Sequence, residues 1–170
     1  MVKYSPGHSK ENVRNHVFLY LKECNNILTL PNLYFSLEER FLKEGKSVNC
    51  TESLRVIYNK QLKIAPSEIK LFNKNIKNID TSNYDGLFLD MCGPFSNAIS
   101  LSLLKLNKGS KIVLTLLMAR ESKELQKFID IKNREESYIL LLNRFNIQVE
   151  KYITYCDTTP MIVLFGVKIK

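Results

Sequence analysis

The sequence predicts an α/β fold: a doubly wound seven-stranded sheet, mostly parallel, closed by a C-terminal antiparallel hairpin and covered by helices on both faces. Three observations carry that expectation. Apolar periodicity alternates between strand-like and helix-like along the chain, as repeated βα units require. The run KIVLTLLM at 111–118 is apolar almost without interruption, as a central strand buried on both faces must be. The last two runs, NIQVEKYITYC and MIVLFGVKIK, alternate with period two and are joined by Asp157-Thr158-Thr159-Pro160, a hairpin signature.

Residues 10–23 carry Val13, Val17, Leu19, Tyr20 and Leu21, an amphipathic helix for which Ser9 is placed as the cap. NILTLP follows as a short buried strand stopped by Pro31. Ser36-Leu37-Glu38-Glu39 reads as a capping box opening a helix, with Leu37, Phe41 and Leu42 inward and Gly45 as its stop. SVNCTE (47–52) is the second strand, and ESLRVIYNKQLKI the next helix, with Leu54, Ile57, Tyr58 and Leu62 as its stripe. IKLFNKNI (69–76) and YDGLFLD (84–90) are the third and fourth strands; Gly93-Pro94 and a helix over 95–106 come after. Beyond the fifth strand a long charged helix is expected over 121–145, through Leu125, Phe128, Ile129, Tyr138 and Leu141.

Composition bounds the function. With 45% hydrophobic and 25% charged residues in 170, the chain is globular in character and fits one domain, residues 1–25 forming an N-terminal arm and helix. MVKYSPGHSKENV lacks an apolar core and no apolar stretch approaches a membrane span, so a cytoplasmic protein, without membrane contact, is expected. The four cysteines show no CxxC or zinc spacing, so no metal is expected, and buried free thiols are the reading for Cys50 and Cys156. The sequon Asn49-Cys50-Thr51 is a chance match on that reading. A net charge of +8 makes an anionic partner such as nucleic acid a candidate. Richness in Lys, Asn and Ile explains part of that charge, and no run of five like charges marks a groove.

Two stretches bear on chemistry. Glu52 closes the second strand about twenty residues after the first, where dinucleotide-binding sheets place the acid that grips ribose hydroxyls. Its two oxygens can accept from both hydroxyls; a surface Glu favoured by the dipole of the following helix is the alternative. In YDGLFLDMCGPF an aspartate, Asp90, closes an apolar strand just before Gly93-Pro94. A strand ending in a turn accounts for Gly93 and Pro94 but not for Asp90.

The element order, the terminal hairpin and these stretches resemble, from about residue 10 to 170, the class I S-adenosylmethionine-dependent methyltransferases. The turn Leu30-Pro31-Asn32-Leu33-Tyr34-Phe35-Ser36 holds no glycine where that family has Gly-x-Gly. It looks like the Leu-Pro turn of small viral or mobile-element members, with Glu39 and the helix start completing the pocket; the alternative is a decayed pocket. The resemblance implies a last strand inserted antiparallel between strands five and six, and S-adenosyl-L-methionine across the strand ends. It implies Leu30, Pro31 and Asn32 at the methionine part, Glu52 with Ser53 at the ribose, and Asn75 with Ile76 at the adenine. Asp90 and Met91 would reach the cofactor, and Asp90 with Cys92, Gly93 and Pro94 would line the transfer site.

That last loop is similar to the Asp-Pro-Phe-Gly stretch of tRNA guanosine dimethyltransferases and the Asp/Asn-Pro-Pro-Tyr loop of amino-methylating enzymes, in which an amine is held with its lone pair towards the methyl. Here Pro does not follow Asp90 directly, because Met91 and Cys92 intervene, which departs from base-amine patterns. A catalytic thiol of the cytosine C5 type needs Pro-Cys, so Cys92 is read as a lining residue. Substrate contacts are expected from His8, beside Tyr4 and Lys10, and from Arg120, which could instead pair with Glu121 or Glu124. The function implied is methyl transfer to a nucleic acid, RNA or a flexible single strand, with a protein partner or a second copy as an option. The alternatives are a degenerate fold serving as a non-catalytic binding or regulatory module, and a small-molecule or protein methyltransferase.

Overall fold

In the computed structural model, which describes residues 10–31, 34–91, 93–118, 133–156 and 159–170, seven strands form one sheet. They are β1 (Asn26–Thr29), β2 (Ser47–Thr51), β3 (Lys70–Phe72), β4 (Gly86–Asp90), β5 (Lys111–Leu117), β6 (Ile147–Cys156) and β7 (Pro160–Lys168). The described helices are α1 (Lys10–Leu21), α2 (Ser36–Lys43), α3 (Arg55–Leu62), α4 (Asn97–Leu104) and α5 (Arg134–Asn143), with 3-10 turns at Ile76–Asn78 and Thr81–Asn83. Strand order is β3-β2-β1-β4-β5-β7-β6. The first five strands pair in parallel, and β7 runs antiparallel between β5 and β6, the insertion the resemblance implied.

Strand alternation divides the apolar residues into two layers. Leu28, Leu87, Leu89, Ile112 and Leu114 pack against Ile99 and Leu103 of α4 and Tyr138 and Leu141 of α5. Ile27, Val48, Phe88, Val113 and Phe165 point the other way, onto Val13 and Val17 of α1 and Leu37 and Phe41 of α2. Ile112 to Leu116 of β5 are buried without a break, because helices cover both of its faces. At the opposite end of the sheet the Asp85 carboxylate accepts from the amides of Asn25 and Asn26, at 2.8 to 3.1 Å, and so ties the start of β1 to that of β4.

Several local expectations fail for identifiable reasons. Ser36 does not cap α2: the residue at the N-cap is Phe35, in the left-handed region at φ 50°, and the Ser36 hydroxyl is buried without a partner among the described residues. The ring of Phe35 is 1% exposed, so burial outweighs the backbone cost. The C-terminal end of α2 does follow expectation, with Gly45 at φ +72° and its amide bonded to the Leu42 carbonyl. On α3, Leu54 and Leu62 are exposed, and the one buried residue is Gln61, whose amide donates to the Pro31 carbonyl at 3.2 Å. The third strand stops at Phe72, so Asn75 lies beyond it and caps the first 3-10 turn. Cys50 is buried, but Cys156 at the end of β6 is exposed. Of the long helix, the described part is α5; Leu125, Phe128 and Ile129 lie outside the described residues, as do Ser9 and Asp157-Thr158 of the hairpin.

Lys168 shows how the final strand fastens the helices. Its buried ammonium donates to the carbonyl of Leu103, in the last turn of α4, at 3.0 Å and to that of Phe145, just past α5, at 2.7 Å. One cation therefore satisfies an open carbonyl in the last turn of α4 and a carbonyl of the turn that ends α5.

Candidate active site

The sheet reverses direction at β1: the chain goes from β1 out to β2 and β3, then returns to β4 on the other side. At such a switch point the strand ends open a crevice. Here it is a cleft of about 530 Å³, within the range that holds a cofactor-sized molecule.

The ends of β1 to β4 each contribute to its wall. Leu30 and Pro31 follow β1; Glu52, Ser53 and Leu54 follow β2, with Ile57 of α3 above them. Lys74, Asn75 and Ile76 come after β3, and Asp90, Met91 and Gly93 after β4, facing Ala98 of α4. Leu30, Pro31, Glu52, Ser53, Asn75, Ile76, Asp90, Met91 and Gly93 are thus brought to one cavity from four separate parts of the chain. Pro94 is half-buried outside that wall. His8, Asn32, Cys92 and Arg120 lie outside the described residues.

Glu52 is held by its surroundings. Its Oε1 accepts from the Leu54 amide at 2.7 Å, its own carbonyl accepts from Asn73 Nδ2 at 2.9 Å, and among the described residues Oε2 has no partner. The helix-start role and the ligand role are compatible, because each takes one oxygen. Asn75 is divided in the same way: Oδ1 accepts from the Lys77 amide at 3.1 Å, and its NH2 group remains to donate. The cleft wall offers a fixed carboxylate, a fixed amide and the apolar surfaces of Leu30, Ile57, Ile76 and Ala98.

Asp90 lies opposite Thr115 of β5 in register, and its carboxylate is hydrogen-bonded by that threonine's hydroxyl. Burial pushes its carboxyl above the ordinary carboxylate range, against the pull of Lys10 and Arg14 on α1 and of Thr115. A second acid stands behind it. Glu38 of α2 is 2% exposed, and its Oε1 accepts from Thr29 Oγ1 at 2.8 Å. Since the Thr29 proton goes to Glu38, the Cys50 thiol, 3.3 Å from Thr29 Oγ1, is the donor in that contact. Glu38 Oε2 is buried and has no partner among the described residues. Burial drives this carboxyl upwards, with Asp90 adding to the effect; its own backbone amide, Thr29 and Arg14 oppose it.

Glu38 is the residue that sequence reasoning missed. It was absorbed into the supposed capping box, and Glu39, which is exposed, was placed at the pocket instead. The signal was present: Glu38 precedes Phe41 by three positions, so it shares the apolar face of α2.

No protein-family model matches this chain, and no curated protein resembles it in sequence. Its fold, however, matches many solved structures. One is the 1,6-didemethyltoxoflavin-N1-methyltransferase of Burkholderia thailandensis, solved with 1,6-didemethyltoxoflavin and S-adenosylhomocysteine: TM-score 0.69, 10% identity, 94% of this chain and 77% of that one. Another is the N-methyltransferase NodS of Bradyrhizobium japonicum, with TM-score 0.65, 10% identity, 95% of this chain and 97% of that one. A third is an rRNA methylase of Streptococcus thermophilus, with TM-score 0.61, 13% identity, 96% of this chain and 100% of that one. At these identities the likeness is one of fold: a Rossmann-like α/β sheet with an antiparallel C-terminal pair.

Proposed function

We propose that this protein is an S-adenosylmethionine-dependent methyltransferase whose acceptor is a nucleic acid, in single-stranded or flexible form. The observation that carries the reading is the convergence of Glu52, Asn75–Ile76 and Asp90 on one cleft at the topological switch point. The donor set fits the cofactor. Glu52 Oε2 is available to accept from ribose hydroxyls while Oε1 is anchored to α3, and the Asn75 NH2 group and Ile76 present an edge and a face suited to adenine. Leu30 and Pro31 wall the side where the methionine part would lie.

Bound there, the cofactor supplies an electrophilic methyl group on a sulfonium. The chain's own contribution is orientation. Asp90, held by Thr115 at the cleft's inner end, accepts a hydrogen bond from an acceptor N–H or O–H and turns its lone pair inward. A carboxylate with a raised pKa is also suited to take the proton that the acceptor gives up. The net charge of +8 favours a nucleic-acid acceptor, while the fold is shared both with an rRNA methylase and with an enzyme that takes a small molecule.

A second reading, a non-catalytic binding module, draws on the glycine-free turn at 30–36. Calorimetry with S-adenosylmethionine and S-adenosylhomocysteine tests the cofactor assignment. Binding of both, weakened about tenfold or more by Glu52→Ala as the loss of a charge-assisted hydrogen bond requires, is the expected result. No binding of either would remove the enzyme reading. Binding without methylation of any RNA would leave the module or an acceptor of another class.

A further inference from the structure

The positive charge is not spread evenly. Between Ser53 and Asn78 lie six of the 25 basic residues and one of the 17 acidic ones, so this stretch holds five of the eight net charges. The fold gathers them on one edge of the sheet. Arg55 and Lys60 stand on α3 and Lys63 at its C-cap, Lys70 on the edge strand β3, and Lys74 and Lys77 on the turn that follows. All six are exposed, and among the described residues none is paired with a carboxylate. Lys105, at the end of α4, adds a further cation, its ammonium 3.0 Å from the Lys77 carbonyl.

Some cations outside the edge are answered by acids. Arg14 and Arg40 both face Glu11, at 3.9 and 4.0 Å, and Lys111 pairs with Glu23 at 3.0 Å. The lone acid of the edge, Glu68, accepts from the neighbouring Ser67 hydroxyl at 2.9 Å. An unanswered band of cations attracts a polyanion and releases that polymer's counterions on contact.

The side chains between these cations decide what kind of polyanion fits. Leu54, Val56, Leu62 and Ile64 are exposed among them, but Leu54 lines the cleft, and on α3 itself Val56 and Leu62 lie six residues apart, about 120° around a helix. The exposed apolar side chains of the helix therefore do not share one face. Lys60 and Lys63, three residues apart, do share a face. The band also leads to the cleft, since Lys74 is part of both. A base inside a duplex could not reach Asp90 from there without being extruded, whereas an unpaired one could.

We propose that the α3–β3 edge, ending at Lys74 on the cleft rim, is the docking track for the phosphate backbone of a single-stranded RNA. The proposal rests on the nucleic-acid reading above and adds the surface on which the strand lies. The test is fluorescence anisotropy of the full chain with a labelled mixed-sequence RNA, followed from about 50 to 200 mM salt. The edge variant is Lys60→Glu/Lys63→Glu/Lys70→Glu, none of which lines the cleft. A charge-matched control is Lys22→Glu/Lys43→Glu/Lys108→Glu, all exposed and outside the edge.

The edge variant should lose most of the affinity, with the slope of log K against log salt shallower by about 2, from roughly 0.7 per phosphate contact. The control should keep most of the affinity, and calorimetric S-adenosylmethionine binding should be equal in all three. Equal weakening of edge and control variants would overturn the track while leaving RNA as the acceptor. No RNA binding by the unaltered chain would overturn the nucleic-acid reading and the track with it. Binding of poly-glutamate in place of RNA would overturn the track in favour of an acidic protein. A DNA strand of the same sequence binding far more tightly would overturn RNA as the occupant.

Discussion

Replacing Glu38 with glutamine should change how stability depends on pH. The side chain is 2% exposed, with Oε1 bound by Thr29 and Oε2 buried without a partner among the described residues. Burial raises its carboxyl above the ordinary value of 4.5, and Asp90 adds to that. The native state therefore holds the proton more tightly than the unfolded chain does. Stability from this group is complete below pH 4.5 and is lost as pH rises through the folded-state value. Each unit of that rise costs about 1.4 kcal/mol. Glutamine keeps an acceptor for Thr29 and never ionises, so Glu38→Gln should not incur the loss.

Urea unfolding of both proteins from pH 5 to pH 8 measures it. The stability of the native sequence should fall relative to Glu38→Gln by up to about 1.4 kcal/mol per pH unit, then run parallel once the folded-state value is passed. Asp90, raised for the same first reason, contributes a fall in both proteins, and because its charge acts on Glu38 the difference between them reports Glu38 together with its coupling to Asp90. Identical pH slopes would refute the argument that Glu38 carries a proton into the folded state. A variant weaker by a constant amount of about 1–3 kcal/mol would instead show that its unpaired amide dominates.

Three further outcomes follow from the same structure. Lys168→Met should cost about 2–4 kcal/mol in denaturant unfolding, because the carbonyls of Leu103 and Phe145 each lose a charged donor in a buried site. Phe35→Gly should be the milder of two damaging changes: both it and Phe35→Ala lose a ring that is 1% exposed, at about 3–5 kcal/mol, but glycine alone relieves the φ of 50°. Thermal melts in which the alanine variant is the more stable would argue against strain at that turn. Asp90→Asn should lower methyl transfer by about 10²-fold or more while calorimetric cofactor binding persists; unchanged turnover would remove Asp90 from the reacting centre.

The parts of the site legible in the sequence were those fixed by strand ends. Glu52, just past β2, and Asp90, the last residue of β4, could be placed because parallel strands end at the same edge of the sheet whatever the helices do. Asn75 lines the same cleft as Glu52 and Asp90 but from a different element than expected, since the strand stops at Phe72 and an Asx turn takes over. Glu38 was misread because S-x-x-E at a helix start has two physical solutions, and burial of Phe35 selected the one without a capping box. The α3 stripe was misread for a related reason: that helix covers the cleft mouth, not the core, so Leu54 and Ile57 line a cavity and Gln61 takes the buried position.

Alternating periodicity, a near-unbroken apolar fifth strand and a closing pair of period-two runs determined by themselves that this chain forms a doubly wound sheet with an antiparallel end. Those properties are local, and backbone hydrogen bonding leaves few ways to satisfy them. What only the tertiary structure decided depends on residues far apart in the chain. It set Glu38 behind Asp90, put Lys168 at the ends of two helices, and brought the end of one basic stretch to a cleft whose other walls come from residues 30, 31, 90 and 91. Burial, charge and contact at those positions are properties of neighbours in space, which no run of sequence states.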